Sequence, residues 1–108
     1  MNMFSLLEAI RLRPGMYVID EDHGQMLREL QVLIFGYEAA LKANEIEEVG
    51  LNFTDKFAEY LRTKYKWSMA CGPIKAIEIE FGSSAVAWEK FWELLEMYKL
   101  SLGDHYDS

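Results

Sequence analysis

Eighteen carboxylates, two histidines and one cysteine are the side chains of this sequence best suited to chemistry, and their spacing argues against most of it. Neither His23 nor His105 has a cysteine, serine or second histidine at a spacing that suggests a nucleophile with its base. Both read as surface histidines. The closing run "GDHYDS" could offer Asp104, His105 and Asp107 to a metal, but without a rigid frame it reads as a frayed tail. Cys71, in "WSMACGPI", sits where a helix start would lower a thiol pKa, although burial as a small hydrophobe is the commoner role. As the only cysteine it excludes an internal disulfide and a cysteine-rich zinc site. No carboxylate pair stands out among eighteen as a general acid and base. The expectation is a chain with no catalytic residues, no metal and no cofactor.

Binding is the alternative to catalysis, and charge narrows it. Eighteen acidic against eleven basic residues give a net charge of −7, which repels nucleic-acid phosphates and speeds encounter with a basic protein. Direct DNA or RNA binding is therefore disfavoured, and no nucleic-acid partner is expected. With 108 residues, of which 51% are hydrophobic and 14% aromatic, the composition is that of one packed domain, 1–108. "MNMFSLLEAIRLRPG" has no basic stretch ahead of an apolar core, and no apolar run approaches membrane-spanning length. These features give the expectation of a cytoplasmic protein that does not engage a membrane.

Helical spacing recurs along the whole chain. Ser5 and Glu8 have capping-box spacing ahead of a short helix from Leu6 to Leu12. Pro14 ends it, and Arg13-Pro14-Gly15-Met16 suits a type II turn, after which Tyr17 and Val18 run extended. Asp22 and Gln25 cap a long helix from His23 to Ala43, in which Leu27, Leu30, Ile34, Tyr37 and Leu41 share a face and which Asn44 stops. Thr54 caps a third helix carrying Phe57, Tyr60, Leu61 and Tyr65, with Lys64 and Lys66 complementing its dipole. Pro73 opens a fourth ending at Gly82, although Ile77, Ile79 and Phe81 also alternate as in a strand. Ser83 or Ser84 opens the last helix, with Trp88, Phe91, Leu95 and Tyr98 inward and a frayed tail from about residue 101. The predicted fold is all-α, about five helices with short connections.

The stretch "EAIRLRPGMYVIDEDHG" resembles the start of the ATPase domain of DNA gyrase B subunits, which reads approximately E-A-[IV]-R-x-R-P-G-M-Y-[IV]-G before a helix. That resemblance implies a glutamate activating water and an asparagine holding magnesium in the next helix. Leu33 and Tyr37 stand at those positions, and Ile19 replaces the glycine. No later glycine-rich segment could close over a triphosphate, so a structural turn survives, Arg13, Pro14, Gly15, Met16 and Tyr17, without the ATPase chemistry.

A second resemblance covers most of the chain. Arg13-Pro14-Gly15-Met16-Tyr17, Gly36-Tyr37, Phe57 to Tyr60, and Lys64-Tyr65-Lys66-Trp67 look like features of immunity proteins from bacterial polymorphic-toxin and contact-dependent growth inhibition systems. This implies a cytoplasmic antidote that binds and blocks a cognate toxin domain, often a basic nuclease, and implies little about architecture. Two acidic clusters are the candidate partner-binding residues: Asp20, Glu21 and Asp22 before the long helix, and Glu89, Glu93 and Glu96 flanking the last helix beside Trp92. Glu45, Glu47 and Glu48 form a third cluster, read as a solvated connection. The other expectation is a regulatory or adaptor domain that forms a homodimer through its aromatic face.

Overall fold

The computed structural model describes residues 2–13, 23–48, 52–82 and 85–102, and they form an all-α protein of five helices. These are α1 (Met3–Leu12), α2 (His23–Ala43), α3 (Phe53–Tyr65), α4 (Pro73–Phe81) and α5 (Ala85–Leu102). The expected fold class holds. None of these helices is long and apolar enough to cross a membrane. The core draws on all five, with Met3, Phe4, Leu7 and Ile10 of α1 closing over Leu27, Leu30 and Ile34 of α2 and Phe53, Phe57 and Leu61 of α3. Ile74 and Ile77 complete it from α4, and α5 packs against α2, α3 and α4.

Helix starts account for most of the differences from the sequence expectation. α1 begins at Met3, because Asn2 and not Ser5 is its cap. The Asn2 side chain accepts the Ser5 N–H at 2.9 Å and the Ser5 hydroxyl accepts the Asn2 N–H at 2.8 Å. Asn2 and Ser5 have the same three-residue spacing as Ser5 and Glu8, and the earlier start adds Met3 and Phe4 to the buried face. Glu8 instead lies 3.7 Å from Arg11.

α3 likewise starts before its expected cap. Phe53 is its first residue and is buried on one face with Phe57 and Leu61, so Thr54 falls inside the helix. Asn52 stands at the cap position in a left-handed conformation, φ 61°, and its side chain makes no capping bond. Glu38 of α2 takes over that role: its carboxylate accepts the Thr54 backbone N–H at 2.9 Å and also the Thr54 hydroxyl. Glu48 does the same for α1, accepting the Met3 N–H at 3.2 Å from either oxygen. An anion at a helix N-terminus satisfies an orphan donor and complements the dipole. Glu48, expected to be solvated, is thus structural.

The end of α2 follows the reading more closely. Asn44 closes it, with its N–H on the Ala40 carbonyl at 3.1 Å, and Ile46 N–H returns to Leu41 O at 2.9 Å across a left-handed Glu45, φ 54°. Such a closure normally takes glycine, and a side chain there carries strain. The strand alternative for 77–81 is not realised: α4 is helical, Ile79 is 68% exposed, and Glu78 is buried with Arg28 3.8 Å away. Ser101 and Leu102, expected to belong to a frayed tail, are the last residues of α5, while the Asp22 cap, the serines at 83 and 84, and the rest of that tail lie outside the described residues.

Two outcomes are expected in urea unfolding. Glu38→Ala lowers stability by about 1–2 kcal/mol, the usual cost of a lost cap, whereas Glu45→Gly raises it by about 0.5–1 kcal/mol by relieving a left-handed side chain. A Glu38→Ala midpoint equal to that of the parent protein would show that the interhelical cap carries no stability.

Candidate functional site

α5 sets the geometry of the site. Its inner face is fixed by aromatic packing, with Tyr98 5.4 Å from both Phe57 and Tyr60, 6.1 Å from Phe53 and 6.4 Å from Phe4, while Phe91 meets Phe57 at 5.9 Å. Burial raises the Tyr98 phenol pKa above its ordinary value. At about 100° per residue, fixing Trp88, Phe91, Leu95 and Tyr98 inward leaves positions 89, 93 and 96 on an outer flank.

Those three positions meet in one groove. Glu89, Glu93 and Glu96 line it together with Trp88, Trp92 and, from α1, Arg11, around a volume of about 480 Å³. Glu93 is paired on its own helix with Lys90 at 3.0 Å, and Glu96 with Lys99 at 3.7 Å. Glu89 has no ion-pair partner among the described residues. The acidic stripe is thus partly neutralised, with Glu89 as the open carboxylate. The solvent-exposed Lys90–Glu93 pair is worth little, whereas Lys99 of the second pair is mostly buried.

Trp92, expected at the boundary of the helix face, is 7% exposed and belongs to the core. It packs edge-to-face on Phe91 at 4.8 Å and on Trp88 at 5.4 Å. Its indole Nε1 is buried and has no hydrogen-bond acceptor among the described residues. Neither this unpaired donor nor the entry of Arg11 into the groove was foreseen from the sequence, since both depend on α1 and α5 meeting. The other predicted cluster, Asp20, Glu21 and Asp22, lies outside the described residues, as do Pro14, Gly15, Met16 and Tyr17 of the turn. Arg13 is described at the exposed end of α1, where its N–H reaches Ala9 O at 3.1 Å.

The Lys64-Tyr65-Lys66-Trp67 motif has a packing role. Tyr65 stacks on Trp67 at 4.7 Å, Trp67 meets Phe81 of α4 edge-on at 5.9 Å, and the left-handed Lys66, φ 63°, ends α3 between them. Lys64 lies over the Tyr60 and Tyr65 rings, and its hydrogen bond from Nζ to the Tyr60 hydroxyl raises its pKa. Leu33 and Tyr37 pack against the core.

For chemistry the arrangement offers little. Among the described residues no three His, Cys, Asp or Glu side chains gather to hold a metal. Cys71 is exposed, contrary to the buried role expected of it, because it precedes α4 in a turn and stays outside the core. A small apolar pocket bounded by Ile34, Phe53, Phe57 and Ile74 has room for about 10 Å³, no more than a single water-sized sphere.

Fold and groove together define an all-α, acidic protein with a glutamate-lined surface groove. No protein-family model, curated protein or solved structure matches the chain.

The unpaired indole makes a stability prediction. Trp92→Phe is expected within about 1 kcal/mol of the parent protein, because removing a buried unpaired donor recovers about 1–3 kcal/mol against the lost contact area. Trp92→Ala, which also empties the site, is expected to cost about 3–5 kcal/mol in the same denaturation experiment.

Proposed function

We propose that this chain is a binding protein that neutralises a toxin domain by docking a basic surface of that toxin into the groove flanking α5. The observation that carries the reading is the convergence of Glu89, Glu93 and Glu96 in one groove, on a chain of net charge −7. The toxin as partner, and cytoplasmic action as its antidote, come from the resemblance to immunity proteins of contact-dependent inhibition systems. If the toxin is a nuclease, the carboxylates occupy basic residues meant for phosphate and exclude the nucleic acid, with no chemistry by the antidote. Self-association through the aromatic face has less behind it, since Trp88, Phe91, Leu95 and Tyr98 are buried within the chain.

Affinity capture from the host, washed at low and then high salt, is the experiment for the partner. The expected result is one stoichiometric basic protein that is harmful when expressed alone. With that partner in hand, Glu89→Lys, Glu93→Lys and Glu96→Lys combined should slow association about tenfold at low salt and flatten its salt dependence. Arg11→Ala, which removes a positive charge from the groove, should speed association. Unchanged rates for both variants would move the interface away from α5.

A further inference from the structure

The phenol of Tyr65, the last residue of α3, donates to the thioether of Met97 on α5, with 3.9 Å between oxygen and sulfur. A thioether is a weak acceptor, so the contact as it stands contributes little. The donor is nonetheless firmly placed, because the Tyr65 ring stacks on Trp67 at 4.7 Å and Lys64 Nζ lies 5.6 Å from its centroid. Met97 is 37% exposed, whereas Met3 and Met26 are buried and Met69 packs against the core. Among the described methionines it is therefore the sulfur that a dissolved oxidant reaches first.

We propose that Met97 is a site of reversible oxidation by peroxide, and that its sulfoxide ties α5 to α3 through the Tyr65 hydroxyl. The sulfur lone pair attacks one oxygen of the peroxide, and the O–O bond breaks as the S–O bond forms. Sulfur loses two electrons, and the departing oxygen takes the proton of the transferred hydroxyl and leaves as water. The new oxygen is a far stronger acceptor than the sulfur that carries it, and rotation of the Met97 side chain brings it within hydrogen-bond reach of the phenol. Methionine sulfoxides commonly disrupt packing because they put a polar group into an apolar core. At Met97 the oxygen meets solvent and a donor, so the same modification strengthens a contact between two helices. Methionine sulfoxide reductases return the sulfoxide to the thioether, which makes this contact a redox-sensitive staple.

Timed exposure of the protein to hydrogen peroxide, followed by tryptic peptide mapping, is the first half of the test. Fragment 91–99, in which Met97 is the only methionine, is expected to gain one oxygen before Met3, Met26 or Met69 does. Urea unfolding of the reduced and oxidised forms of the parent, Tyr65→Phe and Met97→Leu proteins is the second half. The change on oxidation in Met97→Leu registers every other oxidised site. Measured against it, the oxidised parent is expected to unfold with an equilibrium constant about fivefold smaller, the usual worth of one hydrogen bond. Tyr65→Phe, which keeps the ring and loses the hydroxyl, should show no such gain, and a methionine sulfoxide reductase should remove it from the parent.

Oxidation of Met97 no faster than of Met26 or Met69 overturns the proposal. So does an oxidised parent that gains nothing over the Met97→Leu reference, or a gain of equal size in Tyr65→Phe. Each of these results leaves the toxin-binding reading standing, since neither Tyr65 nor Met97 lines the groove.

Discussion

The packing of Tyr98 among Phe4, Phe53, Phe57 and Tyr60 is the constraint on which the remaining geometry depends. These contacts join α1, α3 and α5, segments far apart in the chain, and each aromatic pair contributes about 0.5–1.5 kcal/mol beyond the area it buries. They also fix the rotation of α5 about its axis. A helix so anchored has no freedom in what its opposite flank presents, and the groove is therefore a consequence of the core. Arg11 enters the groove for the same reason, since Phe4, one face of α1, is held by Tyr98 and Phe53.

Local patterns carried the helices, and interhelical contacts carried what the sequence could not reveal. The apolar steps in 27–41 and 88–98 mark their helices plainly, and α2 runs from His23 to Ala43 as its spacing predicts. Ser5 was read as the cap of α1, and Asn2 takes that place with the same three-residue spacing, an earlier start that buries Met3 and Phe4. Glu38 and Glu48 are harder: each caps a helix other than its own, so no window of sequence contains both donor and acceptor. The 77–81 ambiguity is settled by Pro73 at the first turn and by the exposure of Ile79.

The candidate site divides along the same line. The glutamates at 89, 93 and 96 were legible because they lie on one helix, where spacing alone determines that they share a flank. Lys90 and Lys99 at three-residue steps were equally local but temper the charge. Trp92, read as a boundary residue, lines the groove and is also buried in the core, a depth of burial that comes from Phe91 and Trp88 and not from its position on a helical wheel. Its unpaired nitrogen is invisible to any reading that lacks a third dimension.

Six of the described carboxylates thus form two contrasting groups. Glu38, Glu48 and Glu78 hold helix ends and an interhelical ion pair, and replacing them disturbs the fold. Glu89, Glu93 and Glu96 are exposed, and the exposed pairing of Glu93 with Lys90 contributes little to folding. The groove can therefore be rewritten in sequence with the scaffold intact, so that diversification among descendants of this chain can proceed one surface residue at a time, without a folding penalty to slow it.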